Sequence, residues 1–133
     1  MSADTKILLL LVQTNPVALK TCHRVILSGF PEIVVHTACD ADEAISLFKE
    51  HKHDIVVSDI FMPKKNGIDI AREIYLQKKD TLVIFIGGEQ TFKKLILEPH
   101  AGELCLHDLV NKPFEVDDLI QSIAEAITIV ANR

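Results

Sequence analysis

Asp59 closes a short apolar run, Ile55-Val56-Val57-Ser58, and opens a turn-rich stretch that carries Met62, Pro63 and Gly67 in a D-x-x-M-P-x-x-x-G spacing. A carboxylate in that position can do chemistry at the end of a strand, or it can turn the chain by bonding nearby backbone. Position alone weighs the two readings evenly. A second stretch, Asn111-Lys112-Pro113-Phe114-Glu115, follows another apolar run and places a lysine just before a proline and a helix start. A lone Lys-Pro pair is usually structural. Where both runs are strands of one parallel sheet, however, the ammonium of Lys112 and the carboxylate of Asp59 meet at the same edge.

The elements that must position them follow from hydrophobic periodicity. Lys6–Val12 is a continuous apolar run, short enough to be a strand covered on both faces. Asn15 and Pro16 are an N-cap and a first helical residue, and that helix ends near Gly29. Glu32–Ala38 is a second strand. Asp40 with Glu43 has the spacing of a capping box, before a helix whose apolar face is Ala44, Ile45, Leu47 and Phe48. Asp54–Asp59 is a third strand, Gly67–Lys79 a third helix with Ile68, Ile70, Ile74 and Tyr75, and Thr81–Gly88 a fourth strand. Glu89–His100 is a weak helix stopped at Pro99, and Leu104–Val110 a fifth strand. From Glu115 to about Ile129, the spacing of Val116, Leu119, Ile120, Ile123 and Ile127 gives an amphipathic helix. Five β-α units imply right-handed crossovers, and the expected fold is α/β: a (βα)5 doubly wound, parallel five-stranded sheet in a flavodoxin-like three-layer sandwich. Ligands of such sheets sit at the carboxyl ends of the strands, at the topological switch point.

Composition narrows the function classes. The chain has 133 residues, 48% of them hydrophobic, which suits one domain spanning residues 1–133. A formal charge of −5 without a like-charge run offers no footprint for direct nucleic-acid or membrane binding. Cys22, Cys39 and Cys105 are widely spaced and odd in number, so they are expected as buried thiols in a reducing compartment. The apolar run Ile7–Val12 is far below spanning length and no signal-like segment precedes it, so a cytoplasmic location is expected. His51 and His53 flank Lys52 near a helix end, where a solvated terminus outweighs a metal site because no third ligand is apparent in sequence. His23, His36, His100 and His107 are scattered. Lys64 and Lys65 are expected in an exposed loop, and Asn66 in turn chemistry before Gly67.

Taken together, the D-x-x-M-P-x-x-x-G spacing, the strand-terminal Lys112 and the five β-α units resemble the receiver domains of two-component response regulators over nearly the whole chain. The resemblance implies that Asp59 is the phosphoacceptor, that Lys112 contacts the phosphoryl group, and that Met62, Pro63, Gly67 and Pro113 shape the loops beside them. Gly67 is expected to supply a positive φ there. It also implies partners: a histidine kinase, a downstream effector, or a second copy of the chain.

The sequence departs from the family at its working positions. The two acids that hold Mg2+ with the acceptor are replaced by Gln13 and Thr14, the hydroxyl residue of the fourth strand by Gly87, and the aromatic residue three before the lysine by Leu109. The segment 101–112 is also a few residues longer than the family pattern. Asp59 is left as the single carboxylate ligand, so no cofactor is expected beyond weakly held Mg2+. A carboxylate about 4 Å from a divalent ion contributes roughly 2 kcal/mol at bulk dielectric and about 8 kcal/mol at an effective value of 20. At about 1.4 kcal/mol per tenfold, losing two acids weakens Mg2+ by decades. The sequence therefore favours a receiver that works by protein contacts, with Asp59 and Lys112 as a buried ion pair. A conventional Mg2+-dependent phosphoacceptor is the alternative. An enzyme on a similar fold is disfavoured: "QTNPVA" lacks the Thr/Ser/Gly richness of a flavin loop, and Phe61 stands where an Asp-nucleophile phosphatase needs a second Asp.

Overall fold

A computed structural model of the chain describes residues 6–60, 62, 64–87, 106–111 and 116–133, with only the backbone described at Leu106, Leu109 and Asn111. The elements are β1 (Leu8–Val12), α1 (Pro16–Gly29), β2 (Val34–Ala38), α2 (Ala41–His51), β3 (Ile55–Asp59), α3 (Gly67–Gln77), β4 (Leu82–Gly87), β5 (Leu106–Asn111) and α4 (Val116–Ala131). The expected helix within 89–100 lies outside the described residues.

The strands form one parallel sheet in the order β2-β1-β3-β4-β5. The order reverses between β1 and β3, so the crevice at the switch point opens beside the last residues of these two strands. Alternation along the strands sends side chains to two cores. Leu10, Val12, Val56, Val83 and Phe85 meet α2 and α3 on one face, through Ile45, Phe48, Ile70 and Ile74. Leu9, Leu11, Val57, Ile84 and Ile86 meet α1 and α4 on the other, through Ile26, Leu119 and Ile123. Burying each such aliphatic side chain contributes about 1.5–3 kcal/mol. The strands that carry the site are thus its most constrained parts.

Helix starts are written locally. Asn15 Oδ1 accepts the amides of Val17 (2.9 Å) and Ala18 (3.1 Å), with Pro16 in the first turn. Asp40 Oδ1 accepts the Glu43 amide at 2.8 Å. The Glu43 carboxylate takes the Cys39 thiol at 3.4 Å rather than reaching back to the cap, so half of the expected capping box forms. A complete capping box stands at α3, where Asn66 and Asp69 each accept the other's amide, at 3.0 and 3.1 Å. Asn66 is thus a helix cap rather than simply a turn residue. In the last helix, Leu119 and Ile123 are buried as expected, whereas Val116 is 50% exposed.

One irregularity marks the β4–β5 ladder. Val83 pairs with Leu106 but Ile84 pairs with Asp108, so His107 is an extra residue in β5. This is the part of the longer 101–112 segment that the described residues contain.

Candidate functional site

Asp59 is the last residue of a strand buried at every position, and it is itself only 7% exposed. The register sets its neighbours. Val12 of β1 pairs with Ser58, so Gln13 and Thr14 leave β1 alongside Asp59. The Thr14 amide donates to Asp59 Oδ2 at a long 3.4 Å. The Ser58 hydroxyl donates to the Asp59 backbone carbonyl at 2.8 Å, a fixing contact that the sequence did not disclose because a lone strand serine carries no spacing signal.

The same carbonyl explains Gly67. A Cβ there would lie 2.5 Å from Asp59 O and 3.0 Å from both Ile60 Cα and a Phe85 ring carbon. The Gly67 amide also donates to Ile60 O at 2.6 Å, drawing the start of α3 against the end of β3. The expected positive φ is not its reason: among the described residues no glycine has one, and Lys64 (φ 69°) takes the left-handed position of this loop. Close backbone approach, not turn handedness, excludes a side chain at position 67.

Gln13 points inward, 2% exposed, and its Oε1 is buried without a hydrogen-bond partner. It lines a cavity of about 410 Å³ with Asn15, Val17, Cys22, Val116 and Leu119. Thr14 lies on the other side, lining a hollow of about 360 Å³ with Cys39, Asp40, Lys64 and Lys65. Lys64 and Lys65 are exposed as expected, Lys65 lying 3.7 Å from Asp42. Gly87 ends β4 and pairs with Asn111, which brings the end of β5 to the Asp59 edge. Met62 is half-buried against the α2–α3 core. Leu109 pairs with Phe85 through its backbone. Pro63, Lys112 and Pro113 lie outside the described residues, as does the expected Asp59–Lys112 pair.

Among the described residues, the side chains leaving β1 beside Asp59 add no carboxylate for Mg2+. Mg2+ relies on one or two carboxylates plus phosphate oxygens in octahedral array. Here the two residues leaving β1 beside Asp59 are uncharged, and Gln13 turns its side chain toward the α1–α4 cavity.

Two sequence expectations away from this site change. Cys39 is exposed rather than buried, although Cys22 is buried. His51 and His53 are not a solvated terminus: His53 is 0% exposed, stacks on Phe48 and contacts His36, so a third histidine does join them. Burial and the neighbouring rings of His36 and His51 press the His53 pKa down to about 4. That of His36 is also lowered, chiefly by burial. The signal was hidden because His36 is 17 residues from His53 in sequence and meets it only through strand β2.

The receiver domain family of response regulators matches residues 9–124. The probable C4-dicarboxylate response regulator DctR of Bacillus subtilis is 29% identical over 86% of this chain and 49% of its own length. The transcriptional regulatory protein PdtaR of Mycobacterium tuberculosis is 33% identical over 71% of this chain and 44% of its own. The chain thus spans about half the length of the curated relatives it matches. Among solved structures, a response regulator receiver domain protein from Clostridium thermocellum superposes with a TM-score of 0.83 at 26% identity, covering 94% of this chain and 97% of that one. The N-terminal domain of a Wolinella succinogenes protein gives a TM-score of 0.81 at 28% identity, covering 96% and 99%. Chemotaxis regulator CheY4 of Vibrio cholerae, at 20% identity and a TM-score of 0.78 over 92% of this chain and 99% of that one, shares the fold. With a parallel sheet in the 2-1-3-4-5 order, an aspartate closing its central strand and a family match over most of its length, the chain belongs to the response regulator receiver domain family.

Proposed function

We propose that this receiver domain of two-component signalling works chiefly as a protein-interaction module, with weak Asp59 phosphorylation or none. The observation that carries this reading is the pairing of a buried Asp59 with two uncharged neighbours on β1. Gln13 is packed toward the α1–α4 cavity, and Thr14 offers Asp59 a backbone amide at 3.4 Å. Phosphoryl transfer depends on metal charge to neutralise the transferring group, and the carboxylates that hold such a metal are reduced here to Asp59. Gly87 has no hydroxyl with which to distinguish a phosphorylated state, so the loop after β4 lacks that differential contact. The domain is not proposed to carry an enzymatic reaction of its own. Its partners are proteins, either a histidine kinase, a downstream effector or a second copy of the chain, rather than nucleic acid or membrane. Among the described residues no helix is long and apolar enough to cross a membrane.

The conventional reading keeps Asp59 as the acceptor and Lys112 as its phosphoryl contact, with Gln13 and Thr14 oxygens completing a weak Mg2+ shell. An amide-resolved NMR titration with Mg2+ followed by beryllium fluoride, a phosphoryl mimic, separates the two. The interaction-module reading expects an unchanged spectrum up to tens of millimolar Mg2+. Saturating shifts centred on Asp59 at physiological Mg2+, extended by the fluoride, would replace it with the conventional one.

A further inference from the structure

We propose that His36, His51 and His53 form a binding site for a divalent transition-metal ion that prefers imidazole ligands, with Zn2+ and Ni2+ as the probes of choice. The three residues come from three elements: His36 from the edge strand β2, His51 from the last position of α2, and His53 from the turn into β3. Lys52 between the last two adopts a left-handed backbone (φ 52°), which ends the helix and lets residues 51 and 53 approach His36 together. Ring centroids are 4.4 Å apart for His36–His51, 5.0 Å for His36–His53 and 5.7 Å for His51–His53.

Packing alone accounts poorly for this cluster. His36 Nδ1 and His53 Nε2 are 2.8 Å apart, and two neutral imidazoles in that contact share one proton and one hydrogen bond. The remaining His53 nitrogen, Nδ1, is buried with no partner. A hydrocarbon or phenyl ring would fill the space beside Phe48 without that unsatisfied atom. A metal ion uses what the pair already offers, two ring nitrogens that converge on one point, because neutral imidazole is the ligating form.

For His36 and His53 the adjustment is small, and for His51 it is a turn of the ring. Tetrahedral Zn2+ with nitrogens at about 2.0–2.1 Å sets its ligand atoms about 3.4 Å apart, so the His36–His53 contact opens by roughly half an ångström. The three rings do not at present offer three nitrogens within 4.8 Å of one another. His51, with a side chain 35% exposed, turns inward to supply the third, and its solvent-facing side is the route of entry. Glu50, 3.8 Å from His51 Nε2, or water completes the shell, and the carbonyl end of α2 favours a cation there. A competing group at Cys39, Asp40 and Glu43 is fully exposed, and its thiol is held in the protonated form by its hydrogen bond to Glu43. Imidazole donors suit Zn2+, Ni2+ and Cu2+ and discriminate against Mg2+, so this site is separate in chemistry as well as place from Asp59.

The test is calorimetric titration of chelator-stripped protein with Zn2+ and Ni2+, alongside imidazole-resolved NMR. One ion per chain is expected at micromolar metal, with shifts confined to the nitrogens of His36, His51 and His53. His51→Ala, at a half-exposed position, and His36→Gln should each weaken binding at least tenfold while retaining native circular dichroism, and Cys39→Ser should leave it intact. No saturable binding, binding undiminished in either histidine variant, or binding abolished by Cys39→Ser would each overturn the assignment.

Discussion

The backbone carbonyl of Asp59 occupies the space that a side chain at Gly67 would need, 2.5 Å from where the Cβ would stand. The end of the central strand and the first turn of α3 are therefore pressed together by a contact that tolerates no methyl group. Gly67→Ala forces either β3 or α3 to move, and overpacking of this kind costs about 1–3 kcal/mol. Urea denaturation should show a lower midpoint for the variant, and amide shifts should spread from residue 67 to Asp59 and Phe85. A midpoint equal to that of the parent would mean that the helix start shifts freely.

Adding charge beside Asp59 should restore what the sequence lacks. The double variant Gln13→Asp/Thr14→Asp is expected to tighten Mg2+ binding at least ~100-fold. Without metal it should be less stable than the parent, because clustered carboxylates repel. Calorimetry with Mg2+ and urea melts with and without the ion read the two effects separately. Unaltered Mg2+ affinity would show that the β1–α1 turn holds these side chains away from Asp59.

Acid sensitivity should reside partly in His53. Its pKa falls from an ordinary 6.5 to about 4 in the fold, through burial first and then through His36 and His51, with Asp54 opposing and Lys78 assisting. Glu50, near His36, acts in the opposite sense on that ring. Between pH 6.5 and 4 the unfolded chain binds the His53 proton more readily than the folded one, so stability falls as pH falls through that window. The loss is about 3 kcal/mol once pH is below both values. In chelator-treated protein, the slope of stability against pH should be shallower in His53→Leu than in the parent, whatever the variant's stability at pH 7. Equal slopes would exclude His53 as the source.

At the opposite end of the sheet, Asp54 binds two strands into register. Its Oδ2 accepts the Leu8 amide at 3.0 Å and its Oδ1 pairs with Lys78 at 2.9 Å, with both side chains about a quarter exposed. Asp54→Ala removes both bonds and leaves the Leu8 amide short of a partner, at a cost of about 1–3 kcal/mol. Lys78→Met should cost less, since it leaves the amide bond in place. Thermal melts of the two variants check the order.

Much of this architecture was legible in the residues. Runs such as Leu8–Val12 and Ile55–Asp59 are apolar at consecutive positions, which marks strands covered on both faces, and Asn15-Pro16 writes a helix start in two letters. Asp59 was legible as a strand-terminal acid for the same reason. What escaped was whatever depends on distance across the fold. Gly67 is a glycine because of a carbonyl eight positions earlier, and His36 meets His53 because β2 lies next to β1 and α2 folds over it. Ser58 gave no sign because a single hydroxyl in a strand has no period.

The extra residue in β5 carries a consequence for variation in this chain. The extra residue at His107 sets the backbone pairing of Leu106 one residue out of step with that of Asp108–Asn111, in a ladder whose period is two. The bulge acts as a clutch between the segment that enters β5 and the end that faces Asp59. Deleting His107 would remove that offset, so either Leu106 loses its pairing with Val83 or the register of Asp108–Asn111 slips and Val110 leaves the core.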